Sequence, residues 1–146
     1  MRRETLHLTL AFVGAVADER LGSLAAVGAA LHGAPFDLLL DRIECRTRQR
    51  MLWASAGVIP QPLLDLVANL KAGLAAAAFP VEKRPFGAHV TLMRNCRCET
   101  APILHDALAW PVSEFVLAES RPDAEGAAYA ILARWPLAGG AAVRGR

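Results

Sequence analysis

The chain has 146 residues, 54% hydrophobic and 21% charged, with a formal net charge of +2. That length suits one domain, and the composition lies on the globular side of the disorder boundary. Charges, Pro or Gly interrupt every apolar run short of the ~20 residues a membrane-spanning helix needs, and Glu4 and His7 break any leader-like stretch behind Arg2 and Arg3. No membrane contact and a cytoplasmic location are therefore the expectations.

In chain order, Leu6 to Val13 (LHLTLAFV) alternates as a strand and is closed by Gly14. Asp18 is placed to cap a helix running to about Leu31, with Leu21, Leu24, Val27 and Leu31 on one face and Gly33 beyond its end. Phe36 to Ile43 and Met51 to Val58 read as strands separated by an Arg-rich loop or bulge. A second helix is predicted from Pro62, in the favourable first turn, to near Phe79. Phe86 to Met93 repeats the texture of the first strand, and a helix-like segment, Pro102 to Trp110, follows it. Strands at Glu114 to Ser120 and Ala128 to Trp135 flank a turn over residues 122–126. No polar linker divides the chain, so residues 1–137 are expected to form one domain of two interleaved lobes, with 138–146 a flexible tail rich in Gly, Ala and Arg.

The most specific signal is an internal repeat. His7-Leu8-Thr9-Leu10 returns as His89-Val90-Thr91-Leu92, offset by 82 residues (7 to 89), and each copy opens a similar run of elements. In a strand, residues i and i+2 share a face, so His7 projects with Thr9 and His89 with Thr91, while the aliphatic residues between them turn to a core. A pseudo-twofold between the halves lets the two polar faces meet across a cleft and offer two imidazoles and two hydroxyls to one ligand. The second copy is preceded by a strand and a helix that have no counterpart before His7. The first half thus reads as shortened, Met1 as an internal methionine of a longer product, and the sheet as having an exposed edge open to a second copy.

Histidine's ordinary pKa near 6.5 lets one imidazole accept a proton while the other donates one. Hydrolysis of a 2′,3′-cyclic phosphate by in-line displacement needs that pair, together with hydroxyl donors for the non-bridging oxygens, a task that suits Thr9 and Thr91. No metal or other cofactor is expected. His32, after a helix end, and His105, in the Pro102 segment, have no threonine two residues on and read as surface residues. Of the 16 cationic residues 14 are arginine. Arg46, Arg48 and Arg50 alternate and would form one cationic face in an extended chain, or else lie in a solvated loop, and Lys83, Arg84, Arg94 and Arg97 flank the second motif. Arg46, Arg48, Arg50 and Arg94 are the candidate RNA contacts, and Phe12, Phe86, Trp53 and Tyr129 the aromatics available for base stacking. Cys45, Cys96 and Cys98 lack the further grouped ligands of a zinc site and read as incidental thiols of a reducing compartment.

These pieces resemble the 2H phosphoesterase superfamily, within it the bacterial RNA 2′,3′-cyclic phosphodiesterase or 2′-5′ RNA ligase group. The matching stretches are TLHLTLAFVG, MLWAS, RPFGAHVTLMR, FVLAES and YAILARWPL, in the expected order over nearly the whole chain. The resemblance implies a bilobal, pseudo-twofold α+β fold with two antiparallel sheets lining a central cleft and helices outside. It implies catalytic roles for His7 and His89 and phosphate binding by Thr9 and Thr91. The implied ligands are RNA ends or cyclic nucleotides, opened to a 2′-phosphate, with joining of 2′-5′ linked halves as a side activity. The sequence departs from the family at Ala88, where a proline usually precedes the second histidine, and in lacking the usual first strand and helix. A competing reading is therefore an RNA-end binding module without turnover, or an inactive shortened fragment. A serine hydrolase is set aside because Ser23, Ser55, Ser113 and Ser120 all lack a nucleophile-elbow context.

Overall fold

The structure, a computed structural model, describes residues 1–139. The tail expected over 138–146 lies almost wholly outside them. Two helices and seven strands follow a short 3₁₀ turn at Arg3–Thr5: α1 (Asp18–Ala29), β1 (Phe36–Leu40), β2 (Arg42–Arg46), β3 (Met51–Ser55), α2 (Gln61–Ala76), β4 (His89–Arg94), β5 (Leu108–Val112), β6 (Glu114–Asp123) and β7 (Gly126–Pro136). All strand pairs are antiparallel, in the orders β1-β5, β2-β3-β4 and β6-β7. Among the described residues no helix is long and apolar enough to cross a membrane.

The single strand expected over Phe36 to Ile43 divides at Asp41. There the backbone N–H of Asp41 donates to the Ser55 carbonyl (3.0 Å), and its carboxylate accepts from the Gly57 N–H (2.8 Å). The chain thereby leaves β5 as partner and takes up β3. α1 begins at Asp18 itself with Ala17 as its cap, and no side chain caps it; Asp18 instead places negative charge in the first turn, where the helix dipole favours it. α2 starts through Pro62, with Leu63, Leu66, Val67 and Leu74 buried along one face. Arg20 of α1 ties the two helices together. Its guanidinium donates to the carbonyls of Ala77 (2.7 Å) and Ala78 (3.4 Å) past the end of α2 and lies 4.0 Å over the Phe79 ring.

The expected helix over Pro102 to Trp110 is absent. Residues 101–107 are irregular, and Leu108–Val112 is a strand paired with β1, Phe36 opposite Val112 and Leu38 opposite Trp110. Between Pro102 and Pro111 only two helical turns were available, too few to offset the unpaired β1 ladder they would have left. The first strand is also less regular than its alternation suggests. Leu6 to Val13 makes one antiparallel bridge, Leu8 to Val90. The alternation itself holds, since Leu8 and Leu10 pack on the cluster of Leu38, Leu40, Ala54, Leu63, Val67, Ala88 and Val90.

Cys45 and Cys98 form a disulfide, their Cα atoms 5.6 Å apart, and Cys96 is free. The reading of all three as incidental thiols gives way for this pair. It lies 53 residues apart in sequence, a distance closed only when the segment after β4 folds back over β2.

Candidate active site

The Leu8 to Val90 bridge organises the site. Val90 is the residue 82 positions on from Leu8, the offset that relates the two tetrapeptides, so each motif pairs with its own repeat. An antiparallel register through that bridge places His7 across from Thr91 and Thr9 across from His89, with directly opposed Cβ atoms about 5 Å apart. Leu8 and Val90 face the core, so all four polar side chains share the other face. The motifs therefore meet side by side on neighbouring strands and turn their polar pairs to one face.

The two imidazoles are held alike. His7 Nδ1 lies 2.7 Å from the Thr5 carbonyl and His89 Nδ1 lies 3.1 Å from the Gly87 carbonyl, in each case the residue two before. A carbonyl only accepts, so Nδ1 carries the proton in both rings, and Nε2 is left for proton exchange with a ligand. Ala88 does not leave this lead-in loose. Its side chain is 3% exposed in the core, and its carbonyl accepts from the Ala56 N–H at 3.2 Å.

β3 and β2 extend the same face. Trp53 stands opposite Thr91 and Ser55 opposite His89, while Glu44 stands opposite Trp53 and Arg42 opposite Ser55. The Trp53 ring stacks on His89, and the Arg46 guanidinium sits over Trp53. Tyr129 of β7 approaches His7, ring centroids 4.6 Å apart and tilted by 58°. Of the expected stacking aromatics, then, Trp53 and Tyr129 lie against the histidines, Phe86 packs on the core and Phe12 is 75% exposed. His32 and His105 are exposed.

A bulge decides where Arg94 points. The β3-β4 register shifts between Leu52 and Trp53, so that Thr91 pairs with Trp53, Met93 with Leu52 and Arg94 with Met51. Unbroken alternation would send Arg94 inward with Val90 and Leu92; the extra residue turns it onto the face of His89 and Thr91. Arg46 also pairs with Met51. Arg48 and Arg50 lie in the turn that closes the β2-β3 hairpin just beyond, Arg50 at φ +54°. Of the two arrangements the residues allow, an extended cationic face and a solvated loop, the chain takes the loop: a hairpin turn gathers Arg46, Arg48, Arg50 and Arg94 at one end of the sheet. Arg84 is engaged elsewhere, with Glu82.

A cavity of about 1300 Å³ opens beside the first motif, walled by His7, Thr9 and Tyr129 and extending between α1 and β6 over largely apolar side chains; His89 and Thr91 are not among its walls. Behind His7, Arg2 bonds Asp123 (2.8 Å) and Glu125 (3.2 Å), fastening the 3₁₀ turn to the β6-β7 hairpin. The hydrogen bond from Arg2 holds the Asp123 carboxyl below its usual range.

A family model described as LigT like Phosphoesterase matches residues 1–53. The RNA 2′,3′-cyclic phosphodiesterase of Escherichia coli (strain K12) is 32% identical over 136 residues, 92% of this chain and 77% of that protein. The RNA 2′,3′-cyclic phosphodiesterase of Thermus thermophilus is 31% identical over 146 residues, covering 92% and 73%. The crystal structure of E. coli LigT complexed with 3′-AMP matches with a TM-score of 0.85 at 31% identity, over 92% of this chain and 78% of that one. The shared fold and this extent of identity make the chain an enzyme of the LigT-like phosphoesterase family, a 2H phosphoesterase.

Proposed function

We propose that this chain hydrolyses 2′,3′-cyclic phosphate ends of RNA or nucleotides to 2′-phosphates without a metal, using His7 and His89 as the proton-transfer pair. The observation that carries this is the matched disposition of the two rings on one face, each with Nδ1–H bonded to a carbonyl and Nε2 free. In this reading His89 Nε2 takes a proton from water as the water oxygen attacks phosphorus. The bond from phosphorus to O3′ breaks, and His7 Nε2 delivers its proton to that oxygen. The Thr9 and Thr91 hydroxyls donate to the non-bridging oxygens as charge builds there. The same displacement with a 5′-hydroxyl attacking in place of water, again with the bond to O3′ breaking, gives the 2′-5′ joining side activity.

RNA leading into the cyclic end runs toward the arginine end of the sheet, over Arg46 and Arg94 to Arg48 and Arg50. The relatives named for RNA cyclic phosphodiesterase activity and the LigT complex with 3′-AMP support a nucleotide ligand. We place the reaction in the cytoplasm. The sparsely paired Leu6 to Val13 segment offers an edge for a second copy of this chain, a dimer that sedimentation would detect.

The test is turnover of a short RNA ending in a 2′,3′-cyclic phosphate, with EDTA present, reading which ribose oxygen keeps the phosphate. A 2′-phosphate product is expected. A folded chain that binds and protects the cyclic end without consuming it would establish the binding-module reading instead.

A further inference from the structure

We propose that Trp53 is a positioning residue for His89, setting the plane of its imidazole; the proposal rests on the hydrolytic reading above. The torsion that turns an imidazole about its Cβ–Cγ bond is broad, so the surroundings decide where the ring faces. The Gly87 carbonyl fixes one edge of His89, which leaves the ring free to pivot about that bond. Trp53 removes this freedom by lying flat against it, ring centroids 3.7 Å apart and planes within 14°. Trp53 is itself held. β2 and β4 flank β3 on opposite sides, so Arg46 reaches the indole from one side, its guanidinium carbon 4.5 Å from the ring centroid, and His89 from the other.

Two further observations separate this from space filling. The Trp53 Nε1 is buried without a hydrogen-bond partner, as is Oγ of Ser55, the cross-strand neighbour of His89. A residue serving only to fill that volume would not strand an N–H. The other histidine has no equivalent, since Tyr129 meets His7 at a tilt of 58°. The clamp is thus specific to one member of the pair, and it acts on orientation, which a proton transfer to or from Nε2 feels more strongly than ground-state binding does.

The experiment compares wild type, Trp53→Leu and Trp53→Phe. It measures kcat and KM on the cyclic-phosphate RNA and the NMR signals of the His89 ring protons, with His7 as the internal reference. The indole ring current should displace the His89 signals upfield in the wild type. Trp53→Leu should abolish that displacement and lower kcat roughly tenfold or more, with KM within about twofold. Trp53→Phe should keep a displacement and recover kcat to within about threefold. A wild-type kcat in Trp53→Leu, a loss carried by KM alone, or His89 signals indifferent to the replacement would each overturn the proposal. Should Trp53→Leu fail to fold, the wild-type spectrum decides: His89 protons without upfield displacement refute the stack. A wild type that shows the displacement but no turnover would refute the hydrolytic reading and leave the stack standing.

Discussion

Two glycines on α1 should respond with opposite signs to the same substitution. Gly22 is exposed, and a Cβ there meets nothing within 4 Å. Gly22→Ala then gains only helix propensity, about 0.8–1 kcal/mol. Gly28 is buried, and a Cβ there would run into three carbons of the Trp135 ring. That ring is seated on Phe115, centroids 5.3 Å apart, so it cannot simply swing aside. Overpacking of a fixed ring costs toward the upper end of about 1–3 kcal/mol. Against a propensity gain of about 1 kcal/mol, the net loss is about 2 kcal/mol. At roughly 3–4 °C per kcal/mol for a chain of this size, thermal unfolding should rise about 3 °C in Gly22→Ala and fall about 6–8 °C in Gly28→Ala. Shifts of the same sign would show that α1 does not approach β7 through Gly28.

Three further outcomes follow from the site. His7→Ala and His89→Ala should each lower cyclic phosphodiester hydrolysis by about 10²–10⁴-fold, while His32→Ala and His105→Ala stay near wild type; a comparable loss in all four would sink the assignment. Arg94→Ala should reduce the slope of log affinity for single-stranded RNA against log salt by about 0.7, one phosphate contact, whereas an unchanged slope would place Arg94 off the RNA path. Asp123 has a lowered pKa, chiefly through the Arg2 hydrogen bond. A lowered folded value means that the stabilisation is present above the ordinary carboxylate range and is lost as pH falls through the lowered value. The Tm difference between wild type and Arg2→Ala should therefore be full near neutrality and close in acid, and a difference independent of pH would assign the effect of Arg2 to packing.

The parts of this molecule that repeat or alternate were legible in its residues. Alternation alone puts Leu8, Leu10 and Val90 inward and the two His-x-Thr pairs outward, and the structure keeps that division. Helical spacing placed α1 and α2 to within a few residues. What escaped depends on partners distant in sequence. Pro102 to Trp110 carries apolar residues at spacings compatible with a helix, yet β1 needs a partner, and only the fold shows that Leu108–Val112 supplies it. The bulge opposite Leu52 and Trp53 leaves no mark in HVTLMR, so nothing local assigns Arg94 to the cleft face. Cys45 and Cys98 meet only because the hairpin and the segment after β4 converge. Arg48 and Arg50 lie in the Arg-rich loop expected between the strands, but only the hairpin and the β3-β4 bulge bring Arg94 to the same end of the sheet.

The pseudo-twofold creates a difficulty that the surrounding residues resolve. In the proposed reaction an axis through the Leu8 to Val90 bridge would offer a phosphate two equivalent imidazoles, but displacement in line needs one ring to take a proton while the other gives one. Equivalent surroundings would leave the choice to the substrate alone. Here they differ. His89 is pressed flat against Trp53, with Arg46 beyond it, in the well-paired β2-β3-β4 sheet. His7 lies on a segment bridged once, beside a tilted Tyr129 and the wall of a wide cavity. The ring on the rigid sheet is suited to meet a water molecule whose position must be set closely. The ring beside the open cavity is suited to a departing ribose oxygen that carries the bulk of the substrate with it. In the proposed mechanism the strands keep the symmetry of the repeat, and the aromatic residues laid on the two histidines would divide the acid and base roles between them.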